Sequence, residues 1–355
     1  MSRKITRAFC ALCLNLALAV VHGQAATFYV STTGSDSNPG TAAQPFRTIT
    51  HAYSLASAGT TILVAPGVYT DYQADWGLHL ASNGTASSPI VLQSQVRSGA
   101  VIDGENATNR NLAIYLDGSY NVVEGFEIKN GPNGGISIWG NGNQILDNDI
   151  HNNGNPVSTN SNGHDGVYEN QSLSDNVFAG NYIHDNGRTN GSNLDHGLYL
   201  CGQNDLVFNN VSIRNDGSGL QIAGYTTVSN MKVYNNVFAW NGTEGIIVWQ
   251  NMNGVDIRNN ISFNNTLYCI YFYAATGSGV TMDHNAIYGN GAGSYSSFSN
   301  GGSTVGYTVG TTISADPQLA NETQSGFDAH LKAGSPAIGA GYNFSSLFTT
   351  DLAGN

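Results

Sequence analysis

Two short clusters in the middle of the chain carry the residue types that acid–base or metal-assisted chemistry needs. They are His164-Asp165-Gly166 and Asp195-His196-Gly197. Each joins a carboxylate to an imidazole, the commonest proton-transfer groups, and carboxylates in numbers also suit hard divalent cations. Each leads through Gly into an alternating segment, Val167-Tyr168-Glu169 or Leu198-Tyr199-Leu200. Aligning such segments stacks Asp165, His196, Ser218 and Glu244 in one row, with His164, Asp195, Gly217 and Thr243 one residue earlier and Asp216 just behind. In strands stacked every ~4.8 Å, the two carboxylates and two imidazoles fall within ~5–7 Å of one another. Polar insertions over 154–163 and 187–194 immediately precede the two clusters. The plainer alternative is that Asp and His before Gly cap corner amides. Their joint occurrence after the two longest insertions favours a functional site.

Stacking requires a repeat, and the sequence has one. Asn, four residues and a second Asn recur at 148/153, 181/186, 210/215, 236/241, 260/265 and 285/290, with Gly125/Asn130 fitting one unit earlier. Units of this length, each holding short Gly-led strands, bury their apolar residues only by stacking on copies of themselves. Propeller blades need about 40 to 50 residues, so the spacing predicts an all-β parallel β-helix, a solenoid. Asn at one corner of every coil predicts an internal amide ladder. His151 and His184, equivalent positions after the Asn mark, read as corner residues of that ladder. Lys232/Asp256 and Tyr234/Arg258 read as surface pairs in consecutive coils. The outward positions of the Gly-led strands are Trp139, Tyr168, Tyr199, Gln221, Trp249, Tyr271 and Tyr273. Such a row suits stacking on sugar rings. Cys201 and Cys269 lie three coils apart, too far for a disulfide, and are expected as free thiols.

Composition agrees with these elements. Of 355 residues only 10% are charged, against roughly 25% in an average soluble chain, and Gly supplies 44. Residues 1–25 read as a secretory signal peptide, with basic Arg3, Lys4 and Arg7, an apolar run over 8–21 and cleavage near Ala25. The protein is therefore expected to be extracellular or periplasmic, without a membrane span. Removing three of 12 basic residues leaves nine against 24 acids, a net charge of −15 in place of −12. Such acidity argues against nucleic acid or anionic membrane partners. The expected partner is a polysaccharide met by a monomer.

The start of the mature chain carries a long motif: Phe28-Tyr29-Val30-Ser31, Gly34 to Thr41, Pro45-Phe46-Arg47-Thr48-Ile49 and Gly59 to Tyr69. It resembles the opening of exported right-handed parallel β-helix proteins of the pectate-lyase-like superfamily. Asp316-Pro317, His330-Leu331 and Gly334 to Ile338 resemble the end of such proteins. The resemblance implies a short N-terminal capping helix, for which Ile49, Ala52, Tyr53 and Ala56 share a face. It also implies a β-helix over 26–298 and a tail or cap over 299–355, read as truncated at Asn355. The activity implied is a polysaccharide lyase acting on a uronate polymer by β-elimination. The catalytic candidates are then His196, Asp195, Asp165, His164, Tyr199 and Arg214. Trp139, Tyr168, Gln221, Trp249, Tyr271 and Arg188 would bind substrate, and Ca²⁺ would sit on Asp165, Asp195, Asp216 and Glu244. A uronan C5-epimerase, a glycoside hydrolase and a non-catalytic glycan-binding solenoid share the scaffold, and fold alone does not choose between them.

Overall fold

Most strands are three or four residues long, too short to survive unpaired, and those of the solenoid pair in parallel with equivalents in the neighbouring coils. The computed structural model describes residues 26–345 except 73–75, 108, 110, 155–162, 190–192 and 292–297. The expected leader, most of the first polar insertion (155–162) and 190–192 of the second lie outside the described residues. Each coil visits three parallel sheets in turn: a first of 11 strands, a second of 10 and a third of nine. The first sheet holds Gln144–Leu146 and Val177–Ala179, the second Asp149–His151 and Tyr182–His184, and the third Val167–Glu169 and Leu198–Leu200. Like residues sit above like inside the solenoid. Ile145, Phe178, Val207, Val233 and Ile257 form one fully buried column. Ile136, Val167, Leu198, Leu220 and Ile246 form another.

The corners are held by asparagine. From Asn148 through Asn181, Asn210, Asn236, Asn260 and Asn285, each side-chain oxygen accepts the backbone N–H of its equivalent in the preceding coil, at 2.9–3.1 Å. A second ladder runs from Asn153 through Asn186, Asn215, Asn241 and Asn265 to Asn290. Both expected members of every Asn pair are therefore ladder rungs. The backbone explains the Asn doublets. The residue before each rung is left-handed, with Asn209, Asn235, Asn259 and Asn264 at φ 52–57°. Asn tolerates that region better than other residues with a Cβ. One unit earlier the rungs are replaced by Phe126 and Gly131, whose N–H groups donate to Asn148 and Asn153. That is one residue beyond the expected Gly125/Asn130.

A third ladder, at the entrance to the first sheet, runs through Asn121, Asn143, Asn176 and then Asp205, with N–H to side-chain oxygen distances of 2.7–2.9 Å. Asp205 is fully buried beside Glu169, also fully buried. Glu169 accepts N–H groups from Cys201 and Gly202 and the Asn176 amide. A Cβ at Gly202 would strike both carboxyl groups, so glycine makes room for the pair. Burial, then the Glu169 charge, pushes Asp205 well above the usual carboxylate range, and burial raises Glu169 as well.

His151 and His184 are not corner residues. Each ends a strand of the second sheet, paired in register with the other and facing outward. The N-terminal helix is a single short turn-and-a-half, with Ile49, Ala52 and Tyr53 of the expected face buried. Among the described residues the helical segment is Ile49–Ser54, six residues capped by Thr48. Lys232 pairs with Asp256 and Tyr234 with Arg258, as expected. Cys201 and Cys269 are free and buried. Beyond the last solenoid strand at Thr312–Ile313, Leu319–Asn321 and Asp328–Leu331 pair antiparallel, and Phe327 packs on Trp240 and Phe263.

Asn236→Ala is expected to cost about 1–3 kcal/mol, because it orphans the Asn210 N–H and the Val207 carbonyl. Urea unfolding checks this, and a change below about 0.5 kcal/mol would place Asn236 outside the load of the ladder. Asp205 gives a prediction in pH. An acid raised in the folded state binds more protons than the unfolded chain, so stability falls as pH rises above the ordinary carboxylate range. Asp205→Asn restores the residue of the other rungs. It is expected to flatten that slope and to stabilise the protein by about 1 kcal/mol or more at pH 8. An unchanged pH profile in urea unfolding would refute this.

Candidate active-site groove

The four clustered residues meet where the second sheet turns into the third. Register is as the sequence implies, since Gly135, Gly166, Gly197 and Gly219 donate their N–H groups to the carbonyls of Asp165, His196, Ser218 and Glu244. The side chains cross between coils. Asp165 Oδ1 accepts the His196 N–H at 2.8 Å, and Asp195 Oδ1 accepts the His164 N–H at 3.0 Å. His196 Nδ1 accepts the Ser218 N–H at 3.0 Å. That bond uses the ring's lone pair, so its proton is on Nε2, which is buried without a hydrogen-bond partner among the described residues. Burial holds His196 down to about 4, against the pull of Asp195, so the ring is neutral at physiological pH. His164 is lowered too, by burial and then by the Arg188 charge.

Asp195 is fully buried and its carboxylate is consumed. Arg188 grips both oxygens, Nε to Oδ2 at 2.9 Å and an Nη to Oδ1 at 2.8 Å, and adds its own backbone N–H. Asp165 differs. Burial pushes its carboxyl well above the usual range, the His196 N–H opposes that rise, and the Asp195 charge adds to it. Burial therefore favours the protonated form of Asp165, which lines a groove.

That groove runs along the outer face of the third sheet and encloses about 760 Å³. Its walls are aromatic: Trp139, Tyr168, Tyr199, Trp249 and Tyr273, with Gln221 between them. The expected row is two rows. Ser137, Tyr168, Tyr199, Gln221, Ile247 and Tyr271 pair across successive strands, and Trp249 pairs with Tyr273 two residues further on. Tyr271 stacks on Tyr268 beside the groove and is not part of its lining. Tyr225, Asn111, Asn133 and Gln171 also line it and escaped the sequence reading. Tyr225 could have been found, as an aromatic just past the Gly-led strand at Leu220. The described lining contains no Lys or Arg.

Other expected residues lie elsewhere. Arg214 is on the second-sheet side, where it holds Asp185 through Nε and Nη at 2.9 and 2.7 Å and donates to the Gln324 carbonyl. Glu244 accepts the Ser218 hydroxyl at 2.9 Å. Asp165, Asp195, Asp216 and Glu244 do not converge as a ligand set, and the Arg188 clamp leaves Asp195 no oxygen to offer. These residues do not fit Ca²⁺.

Known proteins share this architecture. Residues 28–193 match the "Pel9A-like, right handed beta helix region" family and residues 188–309 the "Right handed beta helix region" family. Pectate lyase L of Dickeya chrysanthemi is 24% identical over 277 residues, covering 67% of this chain and 65% of that protein. Pectate lyase PEL9 of Emericella nidulans is 32% identical over 123 residues, covering 31% of this chain and 29% of its own. The chain spans less than two thirds of the length of these curated relatives. The crystal structure of pectate lyase Pel9A superposes with a TM-score of 0.69 at 17% identity, over 92% of this chain and 94% of that one. With three parallel sheets wound coil on coil and family matches end to end from 28 to 309, the chain is a pectate-lyase-like right-handed parallel β-helix protein.

Proposed function

We propose that the aromatic groove on the third sheet binds a polysaccharide and cleaves it as a lyase, by β-elimination beside a uronate carboxylate. The observation that carries the reading is a buried carboxyl, Asp165, lining a groove walled by Trp and Tyr, where burial favours its protonated form. Trp139, Trp249 and Tyr273 offer ring faces to sugar C–H faces. Elimination is slow because the substrate carboxylate keeps its α-proton unreactive, and a neutral acid hydrogen-bonded to that carboxylate relieves the charge without a cation. Asp165 takes this role. Tyr199 also lines the groove, and its hydroxyl can take the proton beside the uronate carboxylate while passing its own proton to the departing glycosidic oxygen, so the C–H and C–O bonds break as the C=C and O–H bonds form. His164, His196 and Asp195 then shape the floor, and Arg188 neutralises Asp195 beneath it. The pectate lyases among the relatives support this chemistry. The acidic chain would meet its substrate outside the cytoplasm, delivered by the leader over 1–25.

A second reading, glycan binding without cleavage, is favoured by the absence of Lys and Arg from the described lining. Hydrolysis has less support, since it requires two carboxyl groups flanking the bond and Asp195 is held by Arg188. The test is incubation with pectate, alginate and uncharged polysaccharides, read by ultraviolet absorbance of unsaturated uronate and by affinity electrophoresis. Asp165→Asn and Tyr199→Phe are each expected to lower turnover about 10²-fold with the fold intact. Trp249→Ala is expected to weaken binding roughly tenfold. Retention in the gel without any unsaturated product would sink the lyase and leave the binding protein.

A further inference from the structure

The second sheet carries a different cluster, one that the groove does not use. In three consecutive coils its outward positions are Glu127 and Lys129, Asp149 and His151, and Tyr182 and His184. The His151 and His184 rings lie 4.8 Å apart and only 7° from parallel. Each ring is fixed through Nδ1 by the left-handed residue that follows it. His151 Nδ1 meets Asn152 Oδ1 at 2.6 Å, and His184 Nδ1 meets Asp185 Oδ2 at 2.6 Å. Carboxylate and amide oxygens only accept, so each Nδ1–H donates to its following residue, and each Nε2 turns to a carboxylate on the sheet face, where an ion would take the place of the Nε2 proton. There His184 Nε2 lies 3.0 Å from Asp149 Oδ1. His151 Nε2 lies 3.3 Å from Glu127 Oε1, which Lys129 holds at 2.6 Å. Arg214 clamps Asp185 from the other side.

We propose that Asp149, His151 and His184 form a binding site for a zinc-like divalent transition metal that ties consecutive coils of the second sheet together. One donor atom from each of the three lies within 4.8 Å of the other two. Metal–ligand lengths of about 2.0–2.2 Å place tetrahedral neighbours roughly 3.3 Å apart, so the Asp149–His184 contact already has the right scale. Two imidazoles, each exchanging an Nε2 proton for the ion, and one carboxylate select zinc over calcium, which prefers oxygen. Asp185 and Asn152 supply the outer hydrogen bonds that fix ring orientation in histidine metal sites. The side chains are partly exposed, His151 by 16% and His184 by 14%, so an ion can enter and water can complete its shell. Lys129 keeps Glu127 occupied, leaving Asp149 as the carboxylate ligand.

The experiment uses the untagged mature chain, stripped with a chelator and titrated with ZnCl₂ by calorimetry, with bound zinc counted by elemental analysis after gel filtration. One zinc per chain is expected, with a raised melting temperature, and CaCl₂ should not displace it. The double variant His151→Ala/His184→Ala should lose the ion, while His330→Ala, in the tail, keeps it. Should the double variant misfold, Asp149→Asn preserves side-chain volume and is expected to weaken binding at least about tenfold. The cobalt-loaded wild-type protein should then show histidine-ring protons shifted by the paramagnetic ion. Zinc content well below one per chain would overturn the site and leave the cluster as an ion-pair network. So would stoichiometric zinc that survives both the double variant and Asp149→Asn. Neither result depends on cleavage in the groove.

Discussion

The fold depends on how each coil turns its corners without leaving backbone amides bare. From Asn148 onward the ladder corners use the same two-residue device: a left-handed residue swings the chain, and the next side chain reaches down to cap an N–H in the preceding coil. A buried, unpaired amide costs about 1–3 kcal/mol, so a dozen unsatisfied corners would exceed the stability of an ordinary domain. Asparagine solves this because its oxygen accepts an N–H of the preceding coil while its nitrogen donates to a carbonyl of that coil, as Asn236 does to Asn210 and Val207. The apolar columns are then free to be chosen for size alone.

The same device explains the charged residues inside. Asp195 Oδ1 accepts the His164 N–H and Asp205 Oδ1 accepts the Asn176 N–H, each reaching to the preceding coil as an asparagine rung does. A carboxylate in a rung position is an asparagine that has exchanged its donor for a charge, and each must be neutralised. Asp195 is neutralised by Arg188 and Asp205 by the proton it competes for with Glu169. Asp165 reaches the other way, to the following coil, where its oxygen accepts the His196 N–H. Burial favours its protonated form, and it alone of the three lines the groove.

This logic sets what could be read from the sequence. The repeat, the strand register, both Asn ladders and the stacking of Asp165 on His196 followed from spacing, because a parallel solenoid converts sequence period directly into position. Side-chain direction did not follow. Arg188 and Arg214 are both near the clusters in sequence, yet one grips Asp195 under the groove and the other grips Asp185 on another sheet. The left-handed corner after each strand decides this, and nothing in spacing reveals which way it throws the next side chain. His151 and His184 were misplaced for the same reason, being on the strand side of that corner. The Ca²⁺ set failed because period predicts proximity of backbones, whereas ligation needs free oxygens, and Arg188 had taken those of Asp195. Asp205 was legible in principle, as the one Asp in a column of Asn121, Asn143 and Asn176.

A solenoid also explains why so few charges are present and why those few matter. Stacking puts like above like at ~4.8 Å, which favours amides, aromatic rings and aliphatic columns but penalises repeated charge. A surface that avoids that penalty is built from Asn, Gly, Ser and Thr, as the 10% charged content reflects. Where charges do stack, opposite signs or protons must alternate between coils. Glu127 over Asp149 is such a violation on the second sheet, relieved by Lys129, His151 and His184 around it. Asp165 near Asp195 is the corresponding violation beside the third sheet, relieved by Arg188 and a proton. A chain selected only to stack would place an uncharged rung at both. Carrying acids there costs stability that the ladder must cover, which is the reason to look for ligands and chemistry at these two places before any other.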